Sequence, residues 1–580
     1  MQSETKPYSG KLKTSNLWLL AGLGVVLFFL FQFIFPAASD NQQLQQSFKI
    51  ITKEQAKQSA IKFAESELKL NGNYEDALVT YETRPDIYGY LSKEDLLGKY
   101  TSSYDKQFPL DVFRVRFNHP DNVLSALTVD IHMNTGQAVG FEKVFSSSQA
   151  NKKMMLDMGT KSLDSLLTWE GDLGIDDKLA LSAPYLKMFG FDSNQLEPIT
   201  KDKELGLTYQ ISGYTSGEAK AQLRFHYEYG NVSSVESYFA PPATHTAYVE
   251  KQTTLANWLT FAGYALLTFV LGILAIIYSA LTRAHTSFKR GIVLSSIYFV
   301  LSIVGTVNML PIFQKEDMNS GVLLFGLIIQ VIFTLFMAAS IYFSLVGGDG
   351  LLRKKGTILW SRSKEPGYGR HVLDSVWNGY AWALVLLGVQ AVIFFILEKT
   401  IHTWSTTDAT QSPYNMLYPL LFPLLAWVAG IGEEAVYRLF GIPMLKKMFR
   451  STFVASVITT LIWALGHTLY PIYPVISRPI ELLFIGLIFS FIFLRYGFIT
   501  VVFAHVIFDS ILMSFSLMFM GGTLNIAAGL FYIALPAIVA YVIYLFNPPG
   551  KERRQAGFTP PYENIKEEPL ITTPHPEGHL

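Results

Sequence analysis

Three short clusters of ionisable residues interrupt the apolar C-terminal half of this 580-residue chain. The first is Gly432-Glu433-Glu434-Ala435-Val436-Tyr437-Arg438. On a helix, Glu434 and Arg438 are four apart and share a face, so they can pair. Glu433 points about 100° away and is left to meet something else. The second cluster is Trp463-Ala464-Leu465-Gly466-His467, with Trp463 and His467 on one face. The third is His505-Val506-Ile507-Phe508-Asp509, again four apart. Each has a bland reading: a charged helix end near Lys446 and Lys447, a histidine on a backbone carbonyl, a helix-to-helix hydrogen bond. Inside a bilayer an ionisable group costs about 2.5–3.5 kcal/mol, which makes such residues functional candidates by default. Together the residues suit general acid–base hydrolysis, which needs a base within reach of a water and fixed donors where negative charge develops. The oxygen and nitrogen donors Glu433, Glu434, His467, His505 and Asp509 also suit a divalent metal such as zinc. Glu433, His467, His505 and Asp509 are the first choice of ligands, and a metal-free site is the preferred reading.

Half of the residues are hydrophobic and 16% are charged, and mean hydropathy is positive. The apolar residues gather into blocks near 17–35, 258–281, 291–313, 321–346, 376–397, 415–442, 452–471, 479–495, 498–516 and 525–546. About 20 apolar residues span a hydrocarbon core of about 30 Å, so ten spans are expected, in a mostly α polytopic membrane helix bundle. The first block is expected to be a retained anchor rather than a signal peptide, although Pro36-Ala37-Ala38-Ser39 could be read as a cleavage site. Basic residues occupy every second loop: Arg283, Lys289 and Arg290; Arg353 to Arg370; Lys446, Lys447 and Arg450; Lys551, Arg553 and Arg554. Lys6, Lys11 and Lys13 precede the first block, whereas Lys315-Glu316-Asp317 and Thr406-Thr407-Asp408 are acidic or neutral. This pattern predicts a multi-pass protein of the cell membrane with both termini cytoplasmic and residues 40–251 outside. A net charge of zero gives no sign of nucleic acid as a partner, and the lack of cysteine excludes disulfides, thiolate metal sites and a cysteine nucleophile.

Five regions follow: a cytoplasmic N-terminus and anchor (1–38), an inserted α+β extracytoplasmic domain (39–255), further spans with a basic loop (256–375), the bundle carrying the three clusters (376–546), and a Pro- and charge-rich tail (547–580) expected to be disordered. Within the inserted domain, Thr52 and Gln55 can form a capping box for an amphipathic helix burying Ala56, Ala60, Phe63, Ala64 and Leu68. Strands follow with Phe113, Val115 and Phe117, then Leu127, Val129 and Ile131, turning at Asn134-Thr135-Gly136 into Val139 and Phe141. Leu223, Phe225, Tyr227 and Tyr229, then Val232, Val235 and Tyr238, suggest a second copy. The helix-then-hairpin order resembles PepSY-type modules.

The clusters, taken in order, resemble the CPBP intramembrane peptidases, the family of the CAAX prenyl endopeptidases and bacteriocin-processing proteins. That pattern reads Glu-Glu-x-x-x-Arg, Phe-x-x-x-His, then His-x-x-x-Asn or Asp. Here Trp463 stands for Phe, and Asp509 for the Asn of the prenyl endopeptidases. The resemblance, over roughly residues 380–546, implies an intramembrane endopeptidase with Glu433 as general base, Glu434 and Arg438 paired, His467 holding the water, and His505 with residue 509 facing the oxyanion. An ionised Asp509 accepts hydrogen bonds only and would orient His505 instead. The substrate would be a membrane-associated protein or peptide beside the lipid bilayer. The rival readings are a non-catalytic immunity or scaffold protein whose outer domain binds a partner, and a proton-relay transporter. Glu433, His467 and His505 are expected around one cavity.

Overall fold

The structure is a computed structural model and describes residues 10–34, 50–70, 72–121, 123–146, 173–199, 206–228, 230–314 and 320–548. Lys6, Pro36–Ser39, Tyr229, Lys315–Asp317 and the tail beyond residue 548 lie outside the described residues. A bundle of apolar helices carries an antiparallel sheet domain at one end, in agreement with a polytopic helix bundle holding an inserted α+β domain.

Thr52 caps the helix Lys53–Ser66 reciprocally: Gln55 N donates to Thr52 Oγ1 at 3.1 Å, and Thr52 N donates to Gln55 Oε1 at 2.8 Å. This helix precedes strands β1 (Ala77–Thr83), β2 (Asp111–Asn118), β3 (Leu124–His132) and β4 (Ala138–Phe145). A second helix, Ile175–Met188, precedes β5 (Leu196–Ile199), β6 (Gly206–Ser216), β7 (Ala219–Glu228) and β8 (Asn231–Ala240). The sheet order is β1-β2-β3-β4-β8-β7-β6-β5. Each half is a helix followed by four strands paired in chain order, the first half with the helices Pro85–Lys93 and Leu97–Ser103 between β1 and β2, and the halves meet antiparallel at β4 and β8, where Phe141 faces Val235. That mirrored order is a two-fold relation between the halves. Phe63, Phe141, Leu186 and Phe225 share one apolar core, so both helices pack on the same sheet core.

Among the described residues nine helices are long and apolar enough to cross a membrane. The first, Thr14–Ile34, packs on Tyr368–Ile401 where Gly24 meets Gly388: a Cβ on Gly388 would lie 2.5 Å from Gly24 Cα. Small residues at that crossing let the backbones touch. The expectation of ten full spans needs one correction. The block at 452–471 forms a helix only over Thr452–Leu465, 14 residues, or about 21 Å, short of a hydrocarbon core of about 30 Å. From Gly466 the chain continues in turns to β10 (Ile472–Tyr473), which pairs with β9 (Trp404–Ser405). This stretch carries His467.

The sheet domain sits on the loop that enters the helix of Glu433. Asn415 bridges the β1 edge, accepting from Tyr81 N at 2.6 Å and donating to Tyr81 O at 2.8 Å. Thr406 Oγ1 donates to Pro85 O at 2.6 Å. These bonds cover an edge that would otherwise invite another strand.

Candidate active site

Residues Pro419–Leu424 form a 3₁₀ turn, Leu425–Glu433 an α-helix, and Glu434–Gly441 a π-helix. The widened turn therefore begins between the two glutamates. π segments inside helices are rare and often sit at functional sites. Glycines bring neighbours in on both sides: a Cβ on Gly430 would lie 2.6 Å from Val506 Cγ2, and one on Gly432 would lie 2.9 Å from the Tyr298 ring.

Glu434 and Arg438 pair as expected, Arg438 Nη1 donating to Glu434 Oε1 at 3.0 Å, with both side chains fully buried. The guanidinium lies over Trp463, 4.5 Å from the ring centroid, and 5.3 Å from that of Phe489. Glu433 keeps 26% of its side chain exposed, whereas Glu434 is fully buried.

His467 follows the end of Thr452–Leu465. Its Nδ1 lies 3.0 Å from Trp463 O. A carbonyl only accepts, so Nδ1 carries a proton, and Nε2 is turned toward Glu433 Oε1, 4.0 Å away. His505 reaches the cluster from the helix Phe498–Phe519. Its Nδ1 is 2.7 Å from Glu434 Oε1, while Nε2 is 3.4 Å from Asp509 Oδ2 and 3.7 Å from Glu433 Oε2. Phe489 stacks on the imidazole at 4.5 Å and fixes its plane. All six residues singled out in the sequence thus meet at one place, and Glu433, His467 and Asp509 form its exposed side.

Among the described residues no three His, Asp or Glu side chains stand as a set able to hold a metal ion. Glu433 Oε2 already accepts the Trp463 indole N–H, and His505 Nδ1 is committed to Glu434.

Residues 415–511 match the family described as Rce1-like, type II CAAX prenyl endopeptidase. All six site residues fall inside the matched segment. The sporulation-killing factor biosynthesis protein SkfC of Bacillus subtilis (strain 168) is 26% identical to this chain over 252 residues, 42% of the chain and 44% of that protein. The chain therefore spans less than half the length of the curated relative it matches. No solved structure matches the chain. The Rce1-like match does not reach the sheet domain, and the likeness of that domain to PepSY modules rests on the helix-then-hairpin order with Ile51-Thr52-Lys53-Glu54-Gln55-Ala56 opening and Asn134-Thr135-Gly136-Gln137-Ala138-Val139-Gly140-Phe141 closing.

Several partners of the site carry little signal in the sequence. In the motif Trp463 stands for Phe, yet its N–H reaches Glu433. Phe489 carried no signal beyond apolarity. Glu481 did carry one, as a carboxylate in the block 479–495, and corrects the count of three ionisable clusters. It is fully buried, accepting from Gln390 Nε2 at 2.9 Å and from Arg478 Nη1 at 2.8 Å. A cavity of about 510 Å³ lies elsewhere, between the sheet domain and the loop of Tyr414, lined by Tyr81, Asp105, Asp111 and His132.

Proposed function

We propose that the chain is an intramembrane endopeptidase that hydrolyses peptide bonds of membrane-associated proteins or peptides through a water activated by Glu433. The observation that carries this reading is the placement of one partly exposed carboxylate between two histidines, 4.0 Å from His467 Nε2 and 3.7 Å from His505 Nε2. A water between Glu433 Oε1 and His467 Nε2 would direct its two protons to two acceptors and its lone pairs outward. As its oxygen bonds the scissile carbonyl carbon, Glu433 takes a proton. As the oxyanion forms, the His505 Nε2–H turns to it from Asp509, 3.4 Å away in the resting site, and stabilises it. When the C–N bond breaks, Glu433 returns the proton to the leaving amine. Asp509 orients His505 in this scheme, and no step runs through a metal.

The basic loops support a chain with both termini in the cytoplasm and the sheet domain outside the cell membrane. The role of the Bacillus relative in making a killing factor is compatible with processing of a membrane-associated precursor. The test compares membrane proteomes of cells carrying wild-type and Glu433→Gln chains. Fragments present only with the wild type are the expected result; identical proteomes would remove the enzyme reading and favour a binding protein.

A further inference from the structure

Glu433 Oε2 faces two N–H groups from different elements. One is the Trp463 indole, which donates to it. The other is His505 Nε2, 3.7 Å away. The histidine is contested, because Asp509 Oδ2 lies nearer to the same nitrogen, at 3.4 Å. A single N–H aimed at one carboxylate is lost to the other. The site also holds three carboxylates, Glu433, Glu434 and Asp509, around one guanidinium and this imidazole. Asp509 thus draws away the donor that Glu433 would otherwise receive, and Trp463 supplies one in its place.

Trp463 is built for a fixed position. It is 3% exposed, with Arg438 over its face at 4.5 Å. His467 and His505 meet it edge-on, with ring centroids at 5.2 and 6.1 Å. Gly486 backs it so closely that a Cβ there would lie 2.9 Å from Trp463 Cζ3. The indole can neither rotate nor retreat without moving Arg438. Phenylalanine would keep an aromatic face beneath Arg438 but would lose the N–H together with the second ring of the indole.

We infer that Trp463 is a positioning residue: its indole N–H holds the Glu433 carboxylate in register with His467, and it is required because Asp509 competes for His505. Trp463 and Asp509 therefore act as a compensating pair. Trp463 stands where the pattern noted above has Phe, and Asp509 where the prenyl endopeptidases have Asn, an alternative that pattern allows. The catalytic half of this inference rests on the proposed endopeptidase reading, whereas the indole contact does not.

The test has two arms on the full chain in nanodiscs. The first needs no substrate. In protein labelled with 15N-tryptophan, nine indole signals are available, and that of Trp463 is the one missing from Trp463→Phe. It is expected to move on Glu433→Gln and to stay in place on Glu398→Gln, a carboxylate far out on the surface. A signal indifferent to Glu433→Gln overturns the inference. The second arm is a double-mutant cycle on an internally quenched, lipid-anchored peptide cleaved by the wild type. Trp463→Phe is expected to lower kcat about 10- to 100-fold, the range for a lost hydrogen bond to a charged group, with KM within about twofold. In the Asp509→Asn background the same change is expected to cost less than about threefold. Equal losses in the two backgrounds overturn the compensation. If the wild type cleaves no such peptide while the indole signal still follows Glu433, the contact stands and the enzyme reading falls.

Discussion

His505 Nδ1 and Arg438 Nη1 converge on the same oxygen, Glu434 Oε1, at 2.7 and 3.0 Å. One buried carboxylate thereby ties together two helices and orients the imidazole whose other nitrogen faces Glu433. Removing one member of a buried charge network strands its partners, at a cost of about 3–5 kcal/mol. Glu434→Gln and Arg438→Leu are therefore expected to fail as folded proteins, losing thermal stability and yield in detergent. Glu433→Gln, at a partly exposed carboxylate, is expected to melt within about 1 kcal/mol of the wild type. Melting curves of the three variants check this division between a structural and a reacting glutamate.

Gly486 sets how closely the helix Ser477–Tyr496 approaches the site. A Cβ there would lie 2.5 Å from Thr460 Cγ2, 2.9 Å from Trp463 Cζ3 and 3.0 Å from Arg438 Nη2. Overpacking of this kind costs about 1–3 kcal/mol. Gly486→Ala is expected to lower thermal stability by that amount and to reduce cleavage by displacing Trp463. Gly326→Ala, with nothing within 4 Å of the new methyl, is the matched control and is expected to leave both unchanged.

The sheet domain offers a pH signature of its own. Lys143 on β4 lies over the rings of Phe141 and Tyr185, 5.1 and 5.7 Å from their centroids. Burial pushes its ammonium down from 10.5 to about 8. Between these values the unfolded chain holds the proton and the folded chain does not, so stability rises with pH across that window. Below about pH 8 the folded protein carries the full cost of the buried charge. Lys143→Met is expected to melt higher than the wild type at pH 7, with the gap closing toward pH 10. A gap that is constant with pH would contradict this reading of Lys143.

Much of this architecture was legible because the bilayer imposes a length scale. Blocks such as 498–516 and 525–546 correspond to the helices Phe498–Phe519 and Thr523–Phe546. The block at 452–471 misled because Leu469 and Tyr470 prolong an apolar run after the backbone has left the helix at Gly466. In the sheet domain, alternation revealed β2, β3, β7 and β8. It missed β1, whose Leu78-Val79-Thr80-Tyr81 has no clean period of two, and the short helices Pro85–Lys93 and Leu97–Ser103. At the site, spacing within each cluster predicted the Glu434–Arg438 pair. No spacing rule relates clusters on different helices, so the approach of Trp463 to Glu433 and the stacking of Phe489 on His505 emerge only from tertiary packing.

Metal dependence is a separate question with a direct answer. Purified active protein is expected to hold no stoichiometric zinc and to keep cleaving in the presence of a strong chelator. Zinc at one equivalent, with activity lost on its removal and regained on its return, would assign Glu433, His467, His505 and Asp509 to a metal instead.

The most direct measurement is turnover of the Glu433→Gln chain beside the wild type, reconstituted in liposomes with the same internally quenched, lipid-anchored peptide and with matched melting curves. The account predicts a loss of about 10²- to 10⁴-fold, the range for a missing general base, in a protein that remains folded. Cleavage at the wild-type rate by that variant would contradict it.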